Sequence, residues 1–300
     1  MNVIECQGLS KYFQGTQALK DLTFTIEENK ITGLIGRNGA GKTTLLKIIA
    51  GFYQKSTGEL KVFSEDPFNS LKVSANTIFI DENMSFSPGL NLRDILVSAG
   101  NFYENWDAEL ANRLFEYFGF DEKQLHHRLS KGMKSTFNSI LGLAARCPLT
   151  IFDEPTTGMD AAVRKDFYRA VLKDYLQFPR TMILSSHLLN EIEEILEDIL
   201  LINQGENFLQ MAVADLREYA VGLRGKTEKL EEVTKHKKII HKETFGIGDS
   251  FMVVENDFTQ GDLNQIRMMG IDVSSIATTD LCIFLTAKNQ GGIDDVFSRN

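Results

Sequence analysis

Through the first 220 residues, short runs that are apolar at nearly every position alternate with longer stretches in which apolar residues recur at helical spacing. Ile31 to Ile35 (ITGLI), Leu149 to Phe152 (LTIF), Thr181 to Ser185 (TMILS) and the start of Ile199 to Gly205 (ILLINQG) read as strands. Thr43 to Ala50 (TTLLKIIA) reads as a helix, and Phe137, Ile140, Leu141 and Ala144 fall on one face of another. Leu90 to Leu129 is rich in helical spacing, and its aromatics Phe102, Tyr103, Trp106, Phe115, Tyr117 and Phe118 are expected mostly in the core. Beyond Val221 the character changes. Phe251 to Val254 (FMVV) and Cys282 to Leu285 (CIFL) read as strands and Asp262 to Met269 as a helix, so a small α+β appendage is expected over 221–300.

The strand at Ile31 to Ile35 runs straight into GRNGAGKT, Gly36 to Thr43, and then into the helix. This is the phosphate-binding pattern GxxxxGK[ST] in its required strand–loop–helix context. Gly36, Gly39 and Gly41 free the backbone, so that the N–H groups of Arg37, Asn38, Ala40 and the helix start, through Thr44, converge on an anion. Lys42 then reaches the terminal phosphates, and the Thr43 hydroxyl is offered to Mg²⁺. The pattern predicts a bound nucleoside triphosphate.

Composition narrows the setting. A 300-residue chain with 43% hydrophobic and 24% charged residues suits one large soluble domain and a small one. No stretch approaches the roughly 18 apolar residues that cross a bilayer, and MNVIECQGLSK lacks the apolar stretch of a signal peptide, so any membrane role is expected through a partner. Cys6, Cys147 and Cys282 are widely separated, without metal or redox spacing, and suit a reduced cytoplasm. The net charge of −9 argues against nucleic acid as a partner. The one basic run, Lys235 to Lys242 (KHKKIIHK), is expected to be a solvated face diluted by Glu228, Glu231 and Glu232.

A phosphate-binding loop alone leaves many functions open; the motifs that accompany it narrow them. The strand LTIF ends in Asp153 and Glu154, placed to hold Mg²⁺ through its water shell and to polarise an attacking water. Between the loop and these carboxylates lies LSKGM, Leu129 to Met133, at the start of a helix, with Ser130 able to cap it and Gly132 letting backbone approach a phosphate. With these motifs in order, the sequence resembles the nucleotide-binding subunit of an ATP-binding cassette (ABC) transporter, whose signature is usually LSGGQ. The resemblance covers roughly residues 1–220. It implies an α/β fold of the P-loop NTPase cassette type: a mixed sheet core, an antiparallel β element and a helical subdomain at about 86–145.

The resemblance also implies roles. His187, in SSHLLNE, corresponds to the histidine that contacts the γ-phosphate and orients the catalytic water, and Asp160, in GMD, to the loop that crosses to a second subunit. In LSKYFQGTQALKDLTF, Phe13 is the favoured adenine-stacking ring and Tyr12 its close rival. Where the family places a glutamine beside Mg²⁺ and the attacking water, aligning Pro88 and Leu90 puts Glu82. A carboxylate there is expected to ligate Mg²⁺ directly or through water. Phe86 is a candidate for the groove that receives a helix of the membrane subunit.

The implied function is an ATP-hydrolysing subunit that energises a separate membrane permease. Peripheral on the cytoplasmic face of the membrane, it would close head to tail with a second ATP-binding subunit, identical or related, so that Lys42 of one faces Ser130 and Gly132 of the other. LSKGM and the appendage point to the ABC-2 type of exporter. The alternatives are a soluble cassette ATPase uncoupled from transport and an ATP-binding regulatory module, the latter opposed by the presence of Glu154 and His187.

Overall fold

The computed structural model describes residues 1–246 and 248–287. They form two compact units that divide between Val213 and Ala214, a few residues before the boundary expected at 220.

The first unit begins with β1 (Asn2–Phe13) and β2 (Thr16–Glu27), an antiparallel hairpin, followed by β3 (Ile31–Ile35), α1 (Lys42–Ile49) and β4 (Thr57–Val62). The strands β2-β1-β4 make a three-stranded antiparallel sheet. Alternation along β2 sends Leu22, Phe24 and Ile26 inward. Next come α2 (Leu71–Asn76), β5 (Thr77–Ile80), α3 (Leu92–Phe102), α4 (Ala108–Tyr117), α5 (Lys131–Ala144), β6 (Leu149–Asp153), α6 (Ala161–Gln177), β7 (Thr181–Ser186), β8 (Asp198–Asn203) and β9 (Glu206–Ala212). A second sheet has the order β5-β6-β7-β3-β8-β9, parallel except for β9. Strands β3, β6 and β7 are buried at every residue, which explains their uninterrupted apolar runs.

One core joins the two sheets through α1, whose Leu45, Leu46, Ile48 and Ile49 pack with Leu22 and Phe24 of one sheet and Leu34, Ile151, Ile183 and Leu200 of the other. Each such side chain contributes about 1.5–3 kcal/mol, so the phosphate-binding loop is anchored at both ends, by β3 and α1. The parallel register then aligns the strand ends. Ile35 lies opposite Ser186, and Asp153 opposite Ser185, so the segments after β3, β6 and β7 emerge along one edge, the usual place for a ligand in such a sheet.

The helices α3, α4 and α5 are capped by Asn91, Asp107 and Ser130, each accepting from a backbone N–H three residues on. Of the six aromatics expected in this core, only Phe115 is buried, while Phe102 and Tyr117 are exposed. Helical spacing marks a face but not what covers it: the Tyr117 hydroxyl reaches Asp166 of α6 at 2.7 Å.

The second unit contains α7 (Val213–Glu218) at its junction, then β10 (Ala220–Lys226), α8 (Thr227–Val233), β11 (Ile239–Phe245), β12 (Asp249–Glu255), α9 (Gln260–Met268), β13 (Asp272–Ser275) and α10 (Thr278–Thr286). The order β11-β12-β10-β13, antiparallel throughout, is the split βαββαβ arrangement of ferredoxin-like units. Its core gathers Val221, Leu223, Met252 and Val254 from the sheet with Leu230 and Ile266 from the helices. Cys282 to Leu285, expected as a strand, lies in α10; a four-residue apolar run does not distinguish a strand from a buried helical turn. The basic run is neutralised locally, Lys237, Lys238 and Lys242 pairing with Asp257, Glu255 and Glu231.

One buried ion pair locks the first unit away from its functional edge. Asp174 of α6 meets Arg180 at 2.8 Å and Arg146 at 3.1 Å, and the Arg180 guanidinium also donates to the Thr150 hydroxyl and the Leu143 carbonyl. Replacing Asp174 by Asn leaves a buried guanidinium uncompensated, a loss of about 3–5 kcal/mol. Urea denaturation followed by the fluorescence of Trp106, the chain's single tryptophan and part of this unit, is expected to report that loss.

Candidate active site

The loop between β3 and α1 has the shape its sequence predicts. Gly41 lies at φ +103°, and a Cβ there would stand 2.8 Å from the Ala18 carbonyl oxygen, so only glycine lets the loop close over the end of β2. The residues from Arg37 to Thr44 line a cleft of about 490 Å³ together with Thr16, Gln17, Ala18, Lys20, Glu154 and Gln204. Lys42 is buried, and its Nζ donates to the Gly36 carbonyl at 2.7 Å and meets Glu154 Oε1 at 3.0 Å.

Glu154 is the centre of the arrangement. Its second carboxylate oxygen, Oε2, accepts from or pairs with His187 Nδ1 at 2.8 Å. Its backbone sits at φ +48°, a left-handed conformation that costs a residue with a Cβ about 1–3 kcal/mol and persists where neighbours over-determine it. Here they do: the Glu154 N–H donates to Ser185 Oγ at 2.9 Å, and its carbonyl accepts from the hydroxyl and N–H of Thr157. The turn points the side chain across to Lys42 and His187 instead of along the strand.

Asp153, one residue earlier, is nearly buried, and its carboxylate accepts from Ser185 Oγ at 2.6 Å. Burial raises its pKa above the usual carboxylate range; hydrogen bonds from Ser185 and Thr43 and the Lys42 charge oppose the rise, while Glu154 adds to it. A carboxylate held this way beside the Thr43 hydroxyl is a hard-oxygen donor pair that suits Mg²⁺, and a cation there would hold Asp153 ionised. Ser185 ties the two acidic residues together, donating to the Asp153 carboxylate and accepting from the Glu154 backbone N–H. It lay unremarked in TMILSS, and its signal was a hydroxyl at the end of a buried strand.

The remaining expected residues are placed differently. Ser130 accepts from the Met133 N–H at 3.3 Å as the cap of α5. Gly132 owes its size to the chain itself: a Cβ there would collide with the Gly158 carbonyl. With Ser135 Oγ donating to the Thr157 carbonyl at 2.8 Å, the start of α5 is fastened to the loop after Glu154. Asp160 caps α6, accepting from Ala162 and Val163 at 2.9 Å. Glu82 pairs with Lys131 at 2.7 Å, so two of the three departures from the family pattern, the third being Met133, face each other. Phe13 and Tyr12 are both exposed; the Phe13 ring lies edge-on to Tyr53 with Lys11 over its face, Tyr12 Oη accepts from Gln17, and neither ring lines the cleft.

Comparison with known proteins agrees with this geometry. The family profile described as ABC transporter matches residues 19–157. The chain is 30% identical over 216 residues to the ABC transporter ATP-binding protein YtrB of Bacillus subtilis, covering 72% of this chain and 74% of that one. A putative ABC transporter ATP-binding protein of Mycoplasma pneumoniae is 26% identical over 99% of this chain and 91% of its own length, a match that includes the second unit. Among solved structures, an ATP-binding subunit of an ABC transporter superposes with a TM-score of 0.64 at 23% identity, over 72% of this chain and 92% of its own. A dimeric bacterial ABC transporter cassette gives 0.61 at 19%, over 70% and 98%. The chain belongs to the ABC transporter family, as one of its ATP-binding and ATP-hydrolysing subunits.

Proposed function

We propose that this subunit energises a separate membrane permease by closing on a second ATP-binding subunit around ATP and reopening after hydrolysis. The observation that carries the proposal is the Glu154 carboxylate held between Lys42 and His187. Lys42 takes the terminal phosphates in exchange for Glu154, which is thereby freed to accept a proton from the attacking water, while His187 orients that water and Glu154 together. Thr43 and Asp153 would hold Mg²⁺, and Glu82 would be a further ligand if released from Lys131. When bound, Mg²⁺ supplies positive charge to the phosphate oxygens. The adenine stacks on Phe13 or Tyr12, both exposed.

The second subunit, a further copy or a related chain, presents Ser130, Gly132 and Asp160 to the same ATP. Ser130 is exposed at the start of α5 and Asp160 at the start of α6, on two helix ends fastened together through Gly132 and Gly158. The permease docks through the apolar groove of about 280 Å³ lined by Met84, Phe86, Leu90, Ile95, Phe102 and Tyr103, which accounts for the exposure of Phe102. No helix among the described residues is long and apolar enough to cross a membrane, in keeping with a peripheral subunit held at the cytoplasmic face by its permease. The family's transporter subunits and the ferredoxin-like second unit support the transport reading, and the LSKGM signature supports an exporter.

Glu154→Gln is expected to lower the steady-state ATPase rate by about 10²–10⁴-fold and, with MgATP, to accumulate a closed dimer in sedimentation; a variant that hydrolyses at the wild-type rate overturns the catalytic assignment, and one that stays monomeric overturns closure between two copies. For Glu82→Gln, a higher Mg²⁺ requirement both for ATPase activity and for nucleotide binding is predicted. An unchanged Mg²⁺ dependence removes Glu82 from the metal's surroundings.

A further inference from the structure

Just before the LSKGM signature, the turn His126–Arg128 buries a histidine that the hydrolytic site does not use. Its Nε2 lies 2.8 Å from Oδ1 of Asn138, a fully buried residue on the third turn of α5. On its other side Asn138 Nδ2 donates to the Asp81 carbonyl at 3.3 Å. A carbonyl only accepts, so this contact fixes the amide orientation and leaves Oδ1 facing His126, which must carry its proton on Nε2. The ring is held edge-on to Phe86 at 4.9 Å and packed against Phe137. Burial, with Lys134 and His127 nearby, depresses its pKa and keeps it neutral.

A buried polar pair on a core helix adds little net stability over apolar residues of similar shape, so its presence there asks for a second reason. The far end of the chain of contacts supplies one. The carbonyl that Asn138 holds belongs to Asp81, whose carboxylate meets Lys47 of α1 at 3.5 Å, and the next residue is Glu82, paired with Lys131 at the first turn of α5. The segment that leaves β5 is thus pinned at three points, to the helix behind the phosphate-binding loop, to the signature end of α5 and, through Asn138, to the His126 turn.

We propose that His126 and Asn138 form a buried relay that positions the Asp81–Glu82 segment against the ATP site, making both positioning residues for hydrolysis. The relay rests on the hydrolytic reading above. It acts by keeping the segment's backbone in register with α1 and α5 while the Glu82 carboxylate exchanges partners, and it joins that register to the groove residue Phe86, whose ring braces His126. Gln at position 126 can still donate to Asn138, whereas Leu cannot.

The test is a double-mutant cycle on the full chain. His126→Leu and Asn138→Leu are each expected to lower kcat for MgATP about tenfold with KM within about twofold, while His126→Gln keeps kcat within about twofold of wild type. In the Asn138→Leu background, His126→Leu should cost nothing further. Hydrogen exchange in the nucleotide-free chain gives an activity-independent readout: peptides spanning 78–86 should exchange faster in both Leu variants and at the wild-type rate in His126→Gln. Independent, multiplicative losses overturn the relay, as do wild-type kinetics in His126→Leu or losses that follow the melting temperature in every variant, His126→Gln included. A wild-type chain that hydrolyses ATP while Glu154→Gln does not keeps the hydrolytic reading separate from this result.

Discussion

The interaction on which the rest depends is the three-membered contact of Lys42, Glu154 and His187. Three separate stretches of sequence must bring an ammonium and an imidazole each within 3.0 Å of one carboxylate, and a sheet in which β3, β6 and β7 run parallel and end together does so. The all-apolar character of those strands follows from this demand. Strands buried on both faces hold their register through side-chain packing, and a shift of one residue would move Asp153 and Glu154 out of reach of Ser185. The left-handed turn at Glu154 is the local expression of the same constraint, its strain opposed by hydrogen bonds from Thr157 and to Ser185.

A second fastening makes the site more than a phosphate-binding pocket. The start of α5 is tied to the loop after Glu154 by the close approach of Gly132 to Gly158 and by Ser135 bonding to Thr157. That loop is tied onward, since Arg164 of α6 bonds to the Met159 carbonyl and pairs with Glu191, shortly after His187. Whatever moves the signature end of α5 therefore acts on the backbone that sets Glu154 and on the turn that follows His187. This link lies within a single compact unit.

Much of this was legible in the sequence because the constraints are local. The loop from Gly36 to Thr43 must have those residue types at that spacing, and an apolar run ending in two carboxylates states its place at a strand terminus. What was not legible depended on contacts between distant segments. Gly132 looked like a phosphate-approach glycine, and its close packing on Gly158 is a tertiary fact. Asp160 read as a ligand contact, yet it also caps α6, whereas the cap at Ser130 was legible from its place at the start of a helix. The pairing of Glu82 with Lys131 joins residues 49 positions apart, so these departures could not be read as one feature. In the second unit, CIFL misled because four apolar residues fit a strand or a helical turn equally well, whereas the βαββαβ order becomes apparent only from strand pairing.

Lys42, Glu154 and His187 are proposed to act as one unit in ATP hydrolysis. That joint action is tested most directly by single-turnover cleavage of ATP by His187→Ala, by Glu154→Gln and by the chain carrying both. His187→Ala is expected to lose about 10²-fold or more while nucleotide binding is retained, and adding it to Glu154→Gln is expected to slow cleavage no further, as for residues that share one function. Wild-type cleavage by His187→Ala, or losses that multiply in the double variant, would contradict it.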